Sequence, residues 1–165
     1  MPTFIEKIRV PVRISEPSRT AAVGFLSLSP HSQAHAGPET VLDLLNAGHR
    51  VFPFHRHEDG AMLLVTRMNL AYVTVASEVD ANLVRPRNYR VTHEERVLVE
   101  LEDGVRLDGN IQMELPEHLN RTSDFLNLDE DFFALLSRQG TMLVNKSKVR
   151  VLRLFAKSPA PIEAF

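Results

Sequence analysis

The sequence predicts a mainly β protein, in the range from all-β to α+β, built as two tandem copies of one small unit. Three observations carry this expectation. The tetrad Asp-x-Leu-Asn occurs twice, as Asp43–Asn46 in VLDLLN and as Asp124–Asn127 in TSDFLN, each time just ahead of a Phe-rich segment. Other landmarks recur in the same order: RVPVRI (9–14) with RVLVEL (96–101), GFLSLSP (24–30) with GNIQMELP (109–116), VFPF (51–54) with FFAL (132–135), and MLLVTRMNLAYVTV (62–75) with TMLVNKSKVRVLRL (141–154). The offset between partners drifts only from 87 to 79, and each step falls in a turn or loop, where insertions are tolerated. Thirdly, the segments alternate like strands. RVLVEL places Val97, Val99 and Leu101 on one face.

The elements follow in order within each unit: strand, strand, short helix, strand, strand. In the first unit RVPVRI reads as a strand, and Pro11 inside it points to an edge position. GFLSLSP is the second strand. Pro38 and Glu39 suit the first turn of a helix, and Asn46-Ala47-Gly48 suits its end. VFPF and the run 62–75 then form a hairpin that turns at EDG, 58–60. In the second unit RVLVEL and VRLDGNIQMEL turn at EDG, 102–104. TSDFLN forms one or two helical turns, with Thr122 or Ser123 as the cap and Asn127 in the left-handed position that ends it. FFAL and 141–154 form the last hairpin at RQG, 138–140. The boundaries are a first unit at 1–75, a linker at 76–95, a second unit at 96–155 and a flexible tail at 156–165. A unit this small has a meagre core of its own. The two are therefore expected to pack together with pseudo-twofold symmetry.

Composition narrows the function. The 165 residues are 44% hydrophobic and 24% charged with a net charge of −2, ordinary for a globular protein and without the field that gathers nucleic acid. The absence of cysteine excludes disulfides, thiolate metal cages and a Cys nucleophile. No stretch approaches the roughly 18 apolar residues of a membrane span, so a cytoplasmic protein without a membrane role is expected.

Few residues point to chemistry. Asp43, Asn46, Arg121, Asp124 and Asn127 belong to the repeated tetrads and their flank, and form a candidate binding set; the competing reading is that they cap the helices. His55 and His57 stand two apart, which on a strand puts both rings on one face, a geometry for zinc, iron or manganese. Glu58 or Asp59 could add a carboxylate, and His31, His35 or His49 could complete a shell. The second unit has Leu136 and Arg138 in the places of the pair, so it is not part of the common plan, and no cofactor is expected. RPRNYR (85–90) and the Lys146, Lys148, Arg150 series form a modest basic stripe, offset by acidic runs, and nucleic acid is not an expected partner. Phe52, Phe54, Phe132 and Phe133 read as core.

RTSDFLN, followed by FFALL and VNKSKVRVLRL, resembles an uncharacterised bacterial domain family with a Gly in its second strand, an R-x-S-D-x-L-N motif and a final "vnk" strand. The second unit matches it at Gly109, Arg121, Ser123, Asp124, Leu126, Asn127, Asn145 and Lys146; the first matches at Gly24, Asp43, Leu45 and Asn46 only. The resemblance implies no activity. VELEDGVRLDGNIQMEL also bears a faint similarity to Sm-like barrels, a fold analogy from which the helix after the second strand departs. The resulting expectation is a non-enzymatic binding or regulatory module for protein–protein contact or small-ligand sensing, with a protein partner or homo-oligomer. A metal-dependent enzyme using His55 and His57 and an Sm-like nucleic-acid binder are the alternatives.

Overall fold

The computed structural model describes residues 6–155; the expected tail at 156–165 lies outside them. The elements are β1 (Ile8–Ser15), β2 (Ala22–Leu28), α1 (Val41–Asn46), β3 (Val51–Arg56), β4 (Met62–Thr66), β5 (Tyr72–Val75), α2 (Ala81–Val84), β6 (His93–Leu101), β7 (Arg106–Met113), α3 (Thr122–Leu126), β8 (Phe132–Ser137), β9 (Gly140–Asn145) and β10 (Val149–Leu154). All ten strands join one antiparallel sheet in the order β10-β6-β7-β8-β9-β5-β1-β2-β3-β4. The fold is thus mainly β, as expected, with three short helices among the described residues, one of them, α2, in the expected linker.

Each half contributes five strands where the sequence suggests four. The long apolar run at the end of each half breaks into two strands around one turn of 3₁₀ helix, at Arg67–Asn69 and at Lys146–Lys148. At the second turn Asn145 Oδ1 accepts bonds from the Ser147 N–H and hydroxyl, which bends the chain out of β9. The fifth strand then returns to the first: β5 pairs with β1 and β10 with β6. Lys146 and Lys148 therefore lie in a turn and do not alternate along a strand with Arg150. Nor is Pro11 on an edge strand. β1 lies between β5 and β2, but the β5 ladder covers only Arg13–Ser15, so Pro11 sits past its end and costs no bond there.

The two five-strand blocks run the same way across the sheet, β5-β1-β2-β3-β4 and β10-β6-β7-β8-β9, and meet where β5 pairs with β9. A fifth strand joins a fourth strand. The arrangement is head to tail, and the expected pseudo-twofold packing, which sets like against like, is not what forms.

Burial follows from this junction. One core gathers Val10, Val12, Leu26, Leu28, Val41, Leu45, Phe52, Phe54, Val73 and Val75 of the first block, with Phe132, Ala134 and Leu143 added from the second. The other gathers Val97, Val99, Leu101, Leu107, Ile111 and Met113 with Phe133, Leu135 and Val144. β8 thus feeds alternate side chains to two cores, so FFAL is buried at every position, whereas in the equally apolar VFPF burial alternates and Val51 and Pro53 stay exposed. The four phenylalanines are core, as expected. Gly24 and Gly109 occupy matching places in β2 and β7, where the third strand of each block passes close over the second. A Cβ would lie 2.1 Å from His55 O at Gly24 and 2.4 Å from Leu136 O at Gly109, so only glycine fits.

Polar clamps hold the blocks together where the ladder ends. Asn145, fully buried, donates to Leu70 O (2.9 Å) and Met68 O (3.3 Å). Arg67, also buried, donates to His49 O (2.8 Å), to Leu45 O at the end of α1 (3.0 Å) and to Asp131 Oδ2 of the other block (2.7 Å). Arg67→Ala leaves two carbonyls without their donors and should lower stability by about 2–4 kcal/mol in urea denaturation; Asp131→Asn, at a half-exposed carboxylate, should cost about 1 kcal/mol or less.

Candidate functional site

The junction that joins the blocks also leaves a hollow beside it. A pocket of about 470 Å³ lies between α1, the segment after α2, β7, α3 and β8, within the size range of small-molecule sites. Leu42, Leu115, Phe125 and Phe133 supply apolar wall; Arg85, Tyr89, Gln112, Glu114 and Lys146 supply polar groups.

The segment 85–90 forms one flank because it is docked, not solvated. Asp80 caps α2 by accepting from the Asn82 N–H (2.9 Å), and Val84 at its end is buried. The chain then lays Tyr89 against β7: its hydroxyl donates to Gln112 O (2.7 Å) and accepts from the Glu114 N–H (3.0 Å). Burial pushes the phenol up from its ordinary range, opposed by the Glu114 backbone bond and by Arg85. The Arg85 guanidinium stacks 4.8 Å from the Tyr89 ring centre and donates through Nη2 to Gln112 Oε1. Its Nη1 is buried and finds no hydrogen-bond partner among the described residues. Opposite, Lys146 donates to Leu128 O (2.9 Å); burial pushes its ammonium down from the usual lysine range, against the pull of Glu130, Asp131 and Asp129.

The sequence-derived candidates fall mostly into structural roles. Asp43 completes a capping box: Thr40 Oγ1 accepts from the Asp43 N–H (3.1 Å), and Asp43 Oδ2 accepts from the Thr40 N–H (2.8 Å). Asp124 makes half of that box, accepting from the Arg121 N–H at 3.1 Å. The residue in the capping position of α3 is therefore Arg121, not Thr122 or Ser123; Thr122 is the first helical residue and buried. Asn127 ends α3 with φ −86°, a right-handed conformation in place of the expected left-handed one. Asn46 alone among them lines the pocket. Its amide exchanges two bonds with Phe132 of the other block, accepting from the N–H (2.8 Å) and donating to the carbonyl (3.1 Å), as a strand neighbour would.

The histidine pair is split. His55 is in β3, but His57 falls in the turn after it, where strand alternation no longer sets direction. The guanidinium of Arg9 donates to His55 Nδ1 at 2.8 Å, which takes up that ring nitrogen. Among the described residues no three His, Asp, Glu or Cys side chains gather as a metal-binding group. No helix among them is long and apolar enough to cross a membrane.

Two features escaped the sequence reading. RPRNYR was legible as a basic, aromatic segment, but its turn toward Gln112 depends on the β6–β7 pairing. The other is His35, whose Nε2 meets Asp43 Oδ2 at 2.6 Å while Nδ1 meets Ala36 O at 2.9 Å. Both ring nitrogens face acceptors, so only the imidazolium satisfies both. Its pKa is raised above 6.5, chiefly by the Ala36 carbonyl and then by Asp43. The pair ties the loop after β2 to the start of α1.

A raised folded-state pKa means that this stabilisation is complete below the unfolded value of 6.5 and is lost as pH rises through the folded value. Melting temperature followed from about pH 5.5 to 8.5 should therefore fall more steeply for the native chain than for His35→Gln. Equal slopes would remove His35 from this role.

The chain was compared with protein-family models, curated proteins and solved structures, and none of them matches it.

Proposed function

We propose that this protein is a non-enzymatic ligand-binding module made of two copies of one five-strand unit, and that the pocket beside their junction takes a small monocarboxylic acid with an apolar or aromatic body. The duplication is supported by the same strand order in both blocks, by glycine at the same place in the second strand, and by a capped short helix ahead of the third strand. The observation that carries the ligand reading is Arg85. Its buried Nη1 lacks a partner among the described residues, and an unmet buried donor costs free energy that a carboxylate would recover once the guanidinium turns toward the pocket it lines. Lys146 adds a second, partly desolvated cation to the lining. Glu114 and Glu130 share that lining and disfavour a dianion. Phe125, Phe133, Leu42 and Leu115 suit the body of such an acid. Tyr89 is spent on two backbone bonds and Gln112 on Arg85, so both position the guanidinium and do not meet the ligand themselves.

Benzoate, phenylacetate and octanoate should raise the melting temperature, while the matching neutral amides should not. Arg85→Gln should weaken binding of the acids by tenfold or more, roughly the value of one charge-assisted hydrogen bond. Equal binding of acid and amide, or an undiminished Arg85→Gln variant, would remove the reading. Calorimetric titration supplies the dissociation constants.

A further inference from the structure

The internal junction leaves one edge of each kind unused. β5 is paired with β9, so among the described residues the fourth strand of the first block, β4, and the fifth strand of the second, β10, are the two free edges of the sheet. These are the same two strand types that meet at the junction. We propose that β10 of one chain adds antiparallel to β4 of a second copy, repeating the β5–β9 junction between molecules and assembling the protein head to tail.

Three of the four side-chain pairs support this, and the fourth sets Arg153 of β10 against Leu63. In the junction, Tyr72, Val73, Thr74 and Val75 pair with Val144, Leu143, Met142 and Thr141. Shifted by 79 residues, the same register sets Val151, Leu152, Arg153 and Leu154 against Val65, Leu64, Leu63 and Met62 of the next chain. Leu143 and Val75 are 0% exposed at the internal junction, whereas their counterparts Leu64 and Leu154 are 72% and 50% exposed. Met62 and Val151 are exposed as well, at 61% and 45%. Phe132 and Ala134, which the first block covers, correspond to Val51 and Pro53, both exposed on β3. The free edge thus carries an apolar stripe on the face that the first block covers in the second. β4 has no charge, proline or bulge of the kind that protects an edge strand.

Asn127 fits the same scheme. Its counterpart Asn46 clamps the backbone of Phe132. Asn127 is exposed and makes no side-chain hydrogen bond among the described residues, and in the assembly it would meet the backbone of Val51. One tie is missing. Lys146 and Arg50 stand where Arg67 and Asp131 pair internally, so the contact between molecules lacks that ion pair. At the far end Ala61 takes the place of Gly140, and the ladder stops at Met62. Because the contact joins unlike edges, it continues until a ring closes or a filament grows.

Light scattering on the full chain across a concentration series should give a mass that is a multiple of 18.6 kDa. Leu64→Arg and Leu154→Arg should each be monomeric with unchanged circular dichroism; both positions are exposed, so the fold tolerates them. Each variant keeps one intact edge, so mixing them should yield a dimer of one chain of each kind and nothing larger. Arg50→Asp, which restores an opposite charge to Lys146, should shift the equilibrium toward assembly at low salt. Arg85→Gln should assemble like the native chain, which separates this proposal from the ligand reading. A native chain that stays monomeric throughout overturns the proposal. So does either edge variant that keeps the native mass, since a like-on-like contact would survive one of the two, and so does a mixture that stays monomeric.

Discussion

Everything distinctive about this fold depends on four residue pairs between β5 and β9. Without them the chain would be two curled five-strand sheets, each with a small core and two open edges. With them, β8 and β9 are covered on both faces, and Phe132, Ala134 and Leu143 complete the first block's core from outside it. The approach is close. At Gly140, with φ +123°, a Cβ would lie 2.1 Å from Val75 O, so the strand entering this ladder has to begin with glycine.

A ladder this short leaves backbone groups around it unpaired, and buried or half-buried side chains take them up. Asn145 serves Leu70 and Met68, Asn46 serves Phe132, and Arg67 serves Leu45 and His49. The choice of residue types follows from geometry. A carboxamide carries a donor and an acceptor side by side, so it can stand in for a neighbouring strand. A guanidinium has several donors in a fixed fork, so one Arg67 reaches two carbonyls and Asp131 where a lysine's single ammonium would not. The repeated Asp and Asn of the tetrads thus earn their recurrence through structure: the Asp caps a helix, and in the first block the Asn ties that helix to the neighbouring block.

The same edge-to-edge union creates the pocket. α1 reaches over to β8, the segment 85–90 folds back on β7, and the space between them is walled by residues from both blocks. A site made this way draws Arg85 and Gln112 from positions 27 apart and sets them against Asn46 of the other block. It exists only while the blocks are joined, so anything that bound there would be thermodynamically linked to the integrity of the junction.

The sequence by itself determined the local units. Alternating apolar residues specified the strands, Asp-Gly and Gln-Gly marked the hairpins, and the Asp of each tetrad located a helix start, because these signals act over a few residues and are written in backbone preference and side-chain period. VFPF and FFAL are both apolar at every position, so their different burial was not written in the sequence. Tertiary structure decided what no local pattern encodes. It broke each long terminal run into two strands, because the fifth must return to the first. It put unlike edges together, since the hydrophobic pattern of β5 or β9 says which face is buried but not which strand lies alongside. It turned Arg85 and Tyr89 inward and drew His35 to Asp43 across a loop, contacts set by pairing register and chain path. It separated His55 from His57 by ending β3 between them, where the hairpin geometry overrode the spacing of two.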